Sequence, residues 1–417
     1  MPRLWLINQF ANTPDLPGHT RQHELAAGLV QRGWQVQLWA SDFNLTQRRY
    51  RRLRWPALSC CESSAGIRWT WLWVSPYRRN DLWRQLNMLS FCLHLALRLP
   101  LAGLLGRLRG RGPDLLLASS PQLPAAWTCL LIARLLGCPF VLEVRDLWPQ
   151  VLIDQGGKRP DALLVRLLAA MEGQLYRWAA LVVVLARGAE PYVRQRGAQQ
   201  TVWLPNGPDL EAFRQRPLPQ EGAVFTVLYA GAHGEANALE SVVEAARLLA
   251  GSQPPSPPRP PAPSIRFLLV GDGPSRPALI AAAAGLPTIA FAEAVPKQAM
   301  PELMAQADAV LLSLADVPLF RYGVSPNKLY DAYAIGRPVI TTVPGAIAAE
   351  VQENRLGLTV PPADPQALAE AALTLAATPR AERQAMGARA RQLAETTYGR
   401  QRVIAELDHR LREVLRP

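Results

Sequence analysis

The densest cluster of residues that could do chemistry is the segment SPNKLYDAYAIGRPVI at positions 325–340. If a helix begins at its first proline, Lys328 lies in the first turn and Asp331 lies on the same face one turn later. A cation among the amide groups of a helix N-terminus opposes the helix dipole unless an anion binds there. The segment therefore predicts a phosphate site at Lys328, flanked by Ser325 and Asn327. The alternative is a surface ion pair between Lys328 and Asp331.

Two glycine-flanked turns in the second half of the chain are further candidates. They are GAHG at 231–234 and GDGP at 271–274, and each follows a short apolar run. His233, between two glycines, indicates a contact with phosphate or sugar, unless it is a solvated loop histidine. The second turn is a weaker signal and can equally be a plain turn. Neither turn matches the glycine-rich patterns of dinucleotide or P-loop sites.

Two turns in the first half carry similar signals. The segment PGHTR at 17–21 opens a helix, and Gly18 would let the backbone approach an anion at the helix N-terminus. An ordinary N-cap turn is the alternative there. Arg145 and Asp146, followed by Trp148, end a buried strand, and a charged pair at that place predicts a functional role.

Strand and helix patterns that would position these residues alternate along almost the whole chain. Strands are predicted at 4–8, 36–40, 67–72, 114–118, 140–144, 181–185, 202–204, 226–230, 265–270, 309–312, 339–342 and 358–360. Helices are predicted at 21–32, 238–250, 275–284, 298–306, 326–335, 364–376, 381–396 and 400–415. This alternation is typical of parallel sheets covered on both faces by helices. Ligands of such sheets bind beyond the carboxyl ends of the strands, where the candidate residues fall.

The length of 417 residues, together with this alternation of strands and helices, predicts two domains. The proline-rich stretch 251–264 is the more conspicuous linker, but it lies between a helix and a strand of one series, so we interpret it as an exposed loop. The preferred hinge is 208–222. The predicted divisions are therefore 1–207, 223–399 and a C-terminal helix at 400–417.

The charge of the chain is unevenly distributed. Residues 1–200 contain 25 Lys and Arg against 12 Asp and Glu, whereas the remainder contains 20 against 21. No zinc finger, RNA-binding aromatic pattern or compact basic helix accompanies this charge, which argues against nucleic acid as the partner. Five cysteines without a C-x-x-C pair argue against a disulfide scaffold or a zinc ribbon and fit a reducing cytosol.

A membrane surface is a better candidate partner. The N-terminus lacks the pattern of a signal peptide, and the apolar stretch 86–105 is interrupted by charged residues and a proline, so we do not predict a membrane span. Arginine-rich segments surround the apolar segment 91–106; they are 48–55, 77–79 and 107–111. We expect this surface to rest on anionic lipid at the inner face of the cytoplasmic membrane. The alternative is a buried helix pair beside a solvated basic face.

Six segments, in this order, resemble the retaining glycosyltransferases of family 4, especially the bacterial subgroup that builds O-antigen, capsule and exopolysaccharide. They are GHTRQHELAAGLVQRGWQVQLWASDF, EVRDLWPQ, LPNGPDLEAF, YAGAHGEANALESVVEAA, LLVGDGP and SPNKLYDAYAIGRPVI. The resemblance implies the α/β fold called GT-B, in which two Rossmann-like, doubly wound domains face a cleft. The first domain would bind the acceptor and the second a nucleotide-sugar, and the C-terminal helix would pack back on the first domain.

The resemblance also assigns roles. Asp331 would hold the ribose hydroxyls, Lys328 and the amides after Ser325 would face the diphosphate, and the backbone at Val295 would receive the base. The donor site would be completed by the following residues: Gly18, Gly231, His233, Gly273 and Asn327. Arg145 and Asp146 would point to the acceptor side and act in catalysis together with His233 and Lys328. Three further residues would contact the acceptor: His19, Arg21 and Trp148.

Three departures from the family pattern stand out. The first of the two usual acidic residues is replaced by Gly323, so that motif offers no carboxylate to the donor sugar. The segment Ser119-Ser120-Pro121 stands where many relatives have a histidine. There is no D-x-D motif, so neither a metal-bridged diphosphate nor another cofactor is predicted.

The function that follows is transfer of a sugar from a nucleotide-diphosphate donor to a lipid-linked or polysaccharide acceptor, with retention of the anomeric configuration. One alternative is a nucleotide-sugar 2-epimerase of the same fold. Another is an inactive homologue that serves as an assembly partner. The sequence does not identify the sugar, the base or the acceptor.

Overall fold

The computed structural model describes residues 1–15, 20–45, 47–54, 56–78, 82–120, 122–251 and 264–416. The chain forms two compact units, of which the first is Met1–Pro205 together with Val403–Pro417 and the second is Asn206–Arg402. Each unit contains a parallel sheet with helices packed on it, which confirms the predicted α/β class.

The sheet of the first unit is largely parallel. The strands of this unit are β1 (Arg3–Ile7), β2 (Gln35–Ser41), β3 (Phe43–Asn44), β4 (Arg49–Tyr50), β5 (Ser59–Ser64), β6 (Ile67–Leu72), β7 (Leu115–Ser119), β8 (Phe140–Val144), β9 (Leu181–Val184) and β10 (Thr201–Trp203). Among the described residues, eight of them form one sheet in the order β10-β9-β8-β7-β1-β2-β6-β5, in which only β5 is antiparallel to its neighbour. The pair β3–β4 is a separate short ribbon. The polar strand β5 and this ribbon were not predicted, since neither has an apolar run.

The helices of the first unit connect these strands. They are α1 (Arg21–Gln31), α2 (Leu82–Leu108), α3 (Leu123–Leu135), α4 (Gln150–Asp154), α5 (Leu163–Trp178) and α6 (Ala189–Gln195). Helix α1 agrees with the predicted helix at 21–32, and Gly33, just beyond it, has the left-handed φ of 87° that is typical of a glycine after a helix end.

Helix α2 is continuous for 27 residues in spite of Pro100 within it. One face of the helix is buried, with Phe91, Leu95 and Leu99 fully covered, and it packs beside α3. The opposite face is exposed and rich in leucine. In the part of the chain that the structure describes, α2 is the one helix whose length and composition would suffice to cross a bilayer.

The second unit contains the sheet that carries most of the predicted donor residues. Its strands are β11 (Val224–Ala230), β12 (Ser264–Val270), β13 (Ile289–Ala292), β14 (Ala309–Leu312), β15 (Val339–Thr341) and β16 (Gly357–Thr359). They are parallel throughout, in the order β13-β12-β11-β14-β15-β16. Only the four-residue strand β13 lacked a prediction.

The helices of the second unit are α7 (Glu240–Gly251), α8 (Arg276–Ala282), α9 (Met300–Ala305), α10 (Pro318–Arg321), α11 (Asn327–Ile335), α12 (Ala346–Glu353), α13 (Pro365–Ala377) and α14 (Arg380–Leu393). The proline-rich stretch lies almost wholly outside the described residues. Its flanks, α7 and β12, both belong to this unit.

The segment 208–222, the preferred hinge in the sequence analysis, packs on the second unit. The buried guanidinium of Arg337 donates to the carbonyl oxygens of Arg216 and Pro217, at 2.9 Å in each case. Arg391 donates to the carbonyl oxygen of Phe213 at 2.7 Å, and the Phe213 ring is buried. Side chains from distant positions therefore hold the segment in place, which its own composition does not reveal.

The C-terminal helix, α15 (Arg400–Val414), contributes to the core of the first unit. The carboxylate of Asp408 accepts a hydrogen bond from the Trp34 indole at 2.6 Å. Ile404 lies so close to α1 that a Cβ at Gly28 would be 2.5 Å from its Cδ1 atom. A larger residue at position 28 would therefore displace α15 from α1.

Candidate active site

Two glycine turns at the carboxyl ends of β11 and β12 are packed against each other. The amide of His233 donates to the Asp272 carbonyl oxygen at 2.9 Å. A Cβ at Gly271 would lie 1.9 Å from the Gly231 carbonyl oxygen, and a Cβ at Gly273 would lie 2.4 Å from that of His233. Glycine is therefore required at both positions of the second turn, which makes GDGP more than the plain turn that the sequence left open.

His233 is fully buried within this pair of turns. Neither ring nitrogen has a hydrogen-bond partner among the described residues. Burial lowers the pKa of the imidazole, and the nearby cation Arg276 lowers it further, so the ring is neutral at physiological pH. An unpartnered buried polar group costs about 1–3 kcal/mol. This histidine is not the solvated loop residue that was the alternative.

Lys328 joins α11 to the turn after β11. It is the second residue of α11, and its ammonium donates to the Tyr229 hydroxyl at 3.0 Å and lies 4.1 Å from the centre of that ring. A Cβ at Gly231 would be 2.9 Å from the Nζ atom, so this glycine makes room for the lysine. No carboxylate of the described residues pairs with Lys328. The predicted alternative, an ion pair with Asp331, is therefore wrong.

The surroundings of Lys328 disfavour its charge. The residue keeps some exposure, yet the protein atoms packed around its ammonium lower its pKa to about 7. A helix N-terminus also disfavours a cation. A bound diphosphate would reverse both effects by supplying the missing negative charge.

If a diphosphate binds beside Lys328, its affinity is expected to depend on pH through this lysine. Because binding raises the Lys328 pKa, complex formation takes up a proton above pH 7, and the affinity should fall by about tenfold per pH unit between pH 7 and 9. Calorimetric titration across that range measures the slope. Lys328→Arg, which stays protonated, should flatten the slope, whereas a flat wild-type profile would contradict the assignment.

Ser325 and Asn206 brace the start of α11. The Ser325 hydroxyl accepts from the Asn206 amide at 2.9 Å and lies 3.2 Å from the Tyr330 hydroxyl. The Asn206 side chain donates to the Ser325 carbonyl oxygen at 2.8 Å. Ser325 thus fixes the N-terminus of the helix, and its predicted contact with the donor stays a prediction.

The remaining predicted donor residues are spread around this centre. Asp331 lies on α11 one turn beyond Lys328, Asn327 is exposed at the helix start, and Val295 follows β13 by three residues. Gly18 lies outside the described residues. Gly323 has a left-handed φ of 95°, a conformation that would strain a glutamate, so its loop is built for glycine.

In the first unit, the predicted residues Arg21 and Arg145 lie beside a buried carboxylate that the sequence analysis missed. Glu143 accepts from Arg21 at 2.8 Å, from Gln22 at 2.8 Å and from Ser119 at 2.6 Å. Burial opposes its ionisation, but Arg21 and Arg145 more than compensate and lower its pKa. An acidic residue in the apolar strand FVLEV was the signal available.

The same network fixes the predicted arginines. Arg21 also donates to the carbonyl oxygens of Leu204 and Pro205, so its guanidinium is committed within the first unit. Arg145 donates to the Gln22 side chain at 3.1 Å. Asp146 is exposed and Trp148 is partly exposed, while His19 lies outside the described residues.

Comparison with known proteins places both halves of the chain in one family. The family "Glycosyl transferase 4-like domain" matches residues 18–207, and the family "Glycosyl transferases group 1" matches residues 224–378. The two ranges together cover most of the chain. It belongs to the GT-B glycosyltransferases of family 4.

Individual relatives of this glycosyltransferase are distant. The chain is 27% identical over 295 residues to the probable glycosyltransferase WbjE of Pseudomonas aeruginosa, covering 63% of this chain and 64% of WbjE. It therefore spans just under two thirds of that relative's length. It is 24% identical over 326 residues to the putative colanic acid biosynthesis glycosyl transferase WcaI of Escherichia coli K12, covering 73% and 72%.

A solved structure shares the fold of this glycosyltransferase over nearly its full length. HepE from Anabaena, in a complex with UDP, superposes with a TM-score of 0.67 and 16% identity, covering 99% of this chain and 100% of HepE. At that level of identity the likeness shows the fold alone.

Proposed function

We propose that this glycosyltransferase moves a sugar from a nucleoside-diphosphate donor to an acceptor, with retention at the anomeric carbon. The observation that carries the proposal is Lys328, an ammonium without a carboxylate partner among the described residues, held by Tyr229 beside two glycine turns. These features lie at the carboxyl ends of β11 and β12, where such sheets bind ligands.

The proposed chemistry needs a stabilised leaving group. As the bond between the anomeric carbon and the diphosphate breaks, negative charge develops on the diphosphate oxygens. Lys328 and the amide groups that begin α11 would stabilise that charge, while the neutral His233 could donate a hydrogen bond from the glycine turns. UDP is the first nucleotide to test, because HepE was solved with it.

Retention is proposed to proceed on one face of the sugar. The acceptor oxygen would bond to the anomeric carbon on the side from which the diphosphate departs, and the acceptor's proton would pass to a diphosphate oxygen. Gly323, in place of an acidic residue, supports a site without a carboxylate nucleophile from that motif. We propose no metal or other cofactor for this step.

Product analysis tests this proposal against the two alternatives. NMR of the product should show a new linkage with the donor's anomeric configuration. An inverted linkage would refute retention, and a free 2-epimeric sugar without any acceptor would indicate an epimerase. Because Gly323 also favours an inactive homologue, donor binding without turnover is the outcome that would support an assembly partner.

The acceptor is proposed to be lipid-linked, because the first unit exposes a large apolar surface. We call it the leucine face; on α2 it comprises Leu82, Trp83, Leu86, Leu89, Leu93, Leu97, Leu101, Leu104, Leu105 and Leu108. It continues onto α3 with Leu131 and Leu135 and onto α5 with Leu163, Leu164 and Leu167. Contiguous apolar surfaces of this size mark interaction sites.

Charge around the leucine face favours an anionic bilayer as its partner. Helix α2 contains no acidic residue, and exposed arginines lie in its last turn at position 107 and just beyond its end at positions 109 and 111. Not every arginine of the predicted basic segments is available, since Arg52 pairs with Glu62 at 2.7 Å and stacks on Trp71. We propose peripheral attachment to the inner leaflet, with α2 lying in the headgroup boundary.

Replacing two leucines of this face should release the protein from anionic vesicles. Leu97 and Leu101 are 64% and 59% exposed, so aspartates at both positions are expected to fold normally. Each buried leucine contributes about 1.5–3 kcal/mol, so sedimentation with vesicles should fall at least tenfold. Leu373→Asp, at an exposed leucine of the second unit, is the control. Equal sedimentation of all three proteins would refute the membrane role of α2.

A further inference from the structure

A cavity lies within the first unit. Its volume is about 620 Å³, within the range of small-molecule sites, and it is enclosed by the β3–β4 ribbon, residues 76–78 and the start of α2. The ribbon follows β2 and residues 76–78 follow β6, and these strands are parallel neighbours. The cavity therefore opens at the carboxyl ends of the strands, where ligands of parallel sheets bind.

The inner wall of the cavity is aromatic and contains an unsatisfied hydroxyl. Phe43 lies between Tyr50 and Tyr77, edge-on to the first ring and tilted to the second, with ring centres 5.4 Å and 5.2 Å away. The Tyr50 hydroxyl donates to the Val74 carbonyl oxygen. The Tyr77 hydroxyl has no partner among the described residues, although the side chain is only 4% exposed. A buried donor of this kind is normally paired, and a ligand oxygen in the cavity would pair it.

The rim of the cavity is cationic. Arg48, Arg49 and Arg78 all line it and are exposed. The carboxylate of the nearby Asp42 is engaged by other groups, since it accepts hydrogen bonds from the backbone amides of residues 51–53 and lies 4.0 Å from the Arg52 guanidinium. Burial raises the pKa of Tyr77 in spite of the nearby cations, so its phenol stays protonated and can donate to an anion.

The cavity is continuous with the leucine face. Trp83 lines the cavity and is also among the first exposed residues of α2. From there the exposed leucines continue along the helix at intervals of three or four residues. A ligand with an anionic head in the cavity could thus extend an apolar tail along the surface that we propose to face the bilayer.

We infer that this cavity binds the phosphate or diphosphate group of a prenyl-linked acceptor, whose chain lies along the leucine face. The inference rests on the proposed transfer to a lipid-linked acceptor. It adds that the phosphate or diphosphate group of that acceptor binds in this cavity. Arginine side chains suit it because their planar donors match phosphate oxygens. Aromatic side chains suit the first prenyl units, since they present apolar surface beside the charged rim.

Binding of three probes tests the inference. Farnesyl diphosphate, inorganic pyrophosphate and farnesol are titrated into the full chain below the critical micelle concentration, with calorimetry as the readout. Farnesyl diphosphate should bind more tightly than either of the other two, since it alone carries both groups. The double variant with Arg48→Ala and Arg78→Ala should lower the affinity for farnesyl diphosphate by about tenfold or more, because charge-assisted hydrogen bonds to phosphate are strong.

Further variants make the test specific. Tyr77→Phe, which removes only the unpartnered hydroxyl, should weaken the binding of farnesyl diphosphate and leave the binding of farnesol unchanged. Arg159→Ala, an exposed arginine paired with Asp161 elsewhere in this unit, should change nothing. UDP affinity should be unaltered in every variant, because its proposed site is in the second unit.

The outcomes separate this inference from the proposed function. Undiminished farnesyl diphosphate binding in the double variant and in Tyr77→Phe would overturn the inference, and intact UDP binding in the same samples would leave the donor site standing. Pyrophosphate binding as tightly as farnesyl diphosphate would show a free-phosphate site and would also overturn it. If the wild-type protein does not bind UDP, that result would count against the proposed function instead.

Discussion

Replacing Lys328 with alanine is expected to lower kcat/KM for sugar transfer by about 100- to 1,000-fold, the loss typical of removing one preorganised donor to a developing oxyanion. The physical reason is the missing counter-ion: among the described residues the ammonium contacts the Tyr229 phenol but pairs with no carboxylate, so a diphosphate would supply the anion. Since the charge grows in the transition state, kcat should fall as well as donor affinity.

A matched control separates this effect from a general loss of positive charge. Lys158→Ala removes another of the three lysines, at an exposed position of the first unit, and should leave transfer unchanged. Lys328→Arg keeps the charge but not the compact ammonium that fits beside Gly231, so we expect partial activity. Transfer by Lys328→Ala within a few-fold of wild type, in protein with an unchanged melting temperature, would remove Lys328 from the mechanism.

Glu143→Ala is expected to destabilise the first unit by about 3–5 kcal/mol, because it leaves Arg21 buried without its counter-ion. The side chains of Arg21 and Glu143 are only 10% and 3% exposed, and the carboxylate accepts from two further side chains. Urea denaturation of the variant and wild type measures the difference. UDP binding should persist at low urea, since the donor residues belong to the second unit.

The control for Glu143 is an exposed ion pair of similar length. Arg159 and Asp161 lie 2.7 Å apart but are largely exposed, so Asp161→Ala should cost less than about 1 kcal/mol. The Glu143 contribution also has a pH signature. Because its pKa is lower in the folded chain than in the unfolded chain, the stabilisation is present above the ordinary glutamate pKa and is lost as the pH falls through the folded value. Equal losses in the two variants would contradict this account.

The sequence was sufficient for features that local pattern controls. Apolar runs located most of the strands, and the proline of SPNK placed Lys328 at a helix start. It was insufficient for residues whose role depends on the fold around them. Tyr229 lies in the apolar run VFTVLYA and resembles a core residue, yet its hydroxyl meets Lys328 from 99 positions away.

The segment 208–222 shows the same limit. Its place before a new strand, where the charge of the chain changes, predicted a hinge, and nothing within it indicates that Arg337, Arg380 and Arg391 bind its carbonyl oxygens. Likewise, the apolar run around α2 predicted a surface segment, but only the packed helix shows which leucines are exposed. Long-range contacts decide both cases, and periodicity does not encode them.

The most direct test of the account is the release of nucleoside diphosphate by the purified chain, measured across UDP- and GDP-sugars with and without a prenyl-diphosphate-linked glycan. The account predicts that one donor releases its nucleoside diphosphate only when the acceptor is present, and that Lys328→Ala lowers the rate of this release by about 100-fold or more. Release that is independent of acceptor, or donor binding with no release across all acceptors, would contradict the assignment as a transferase.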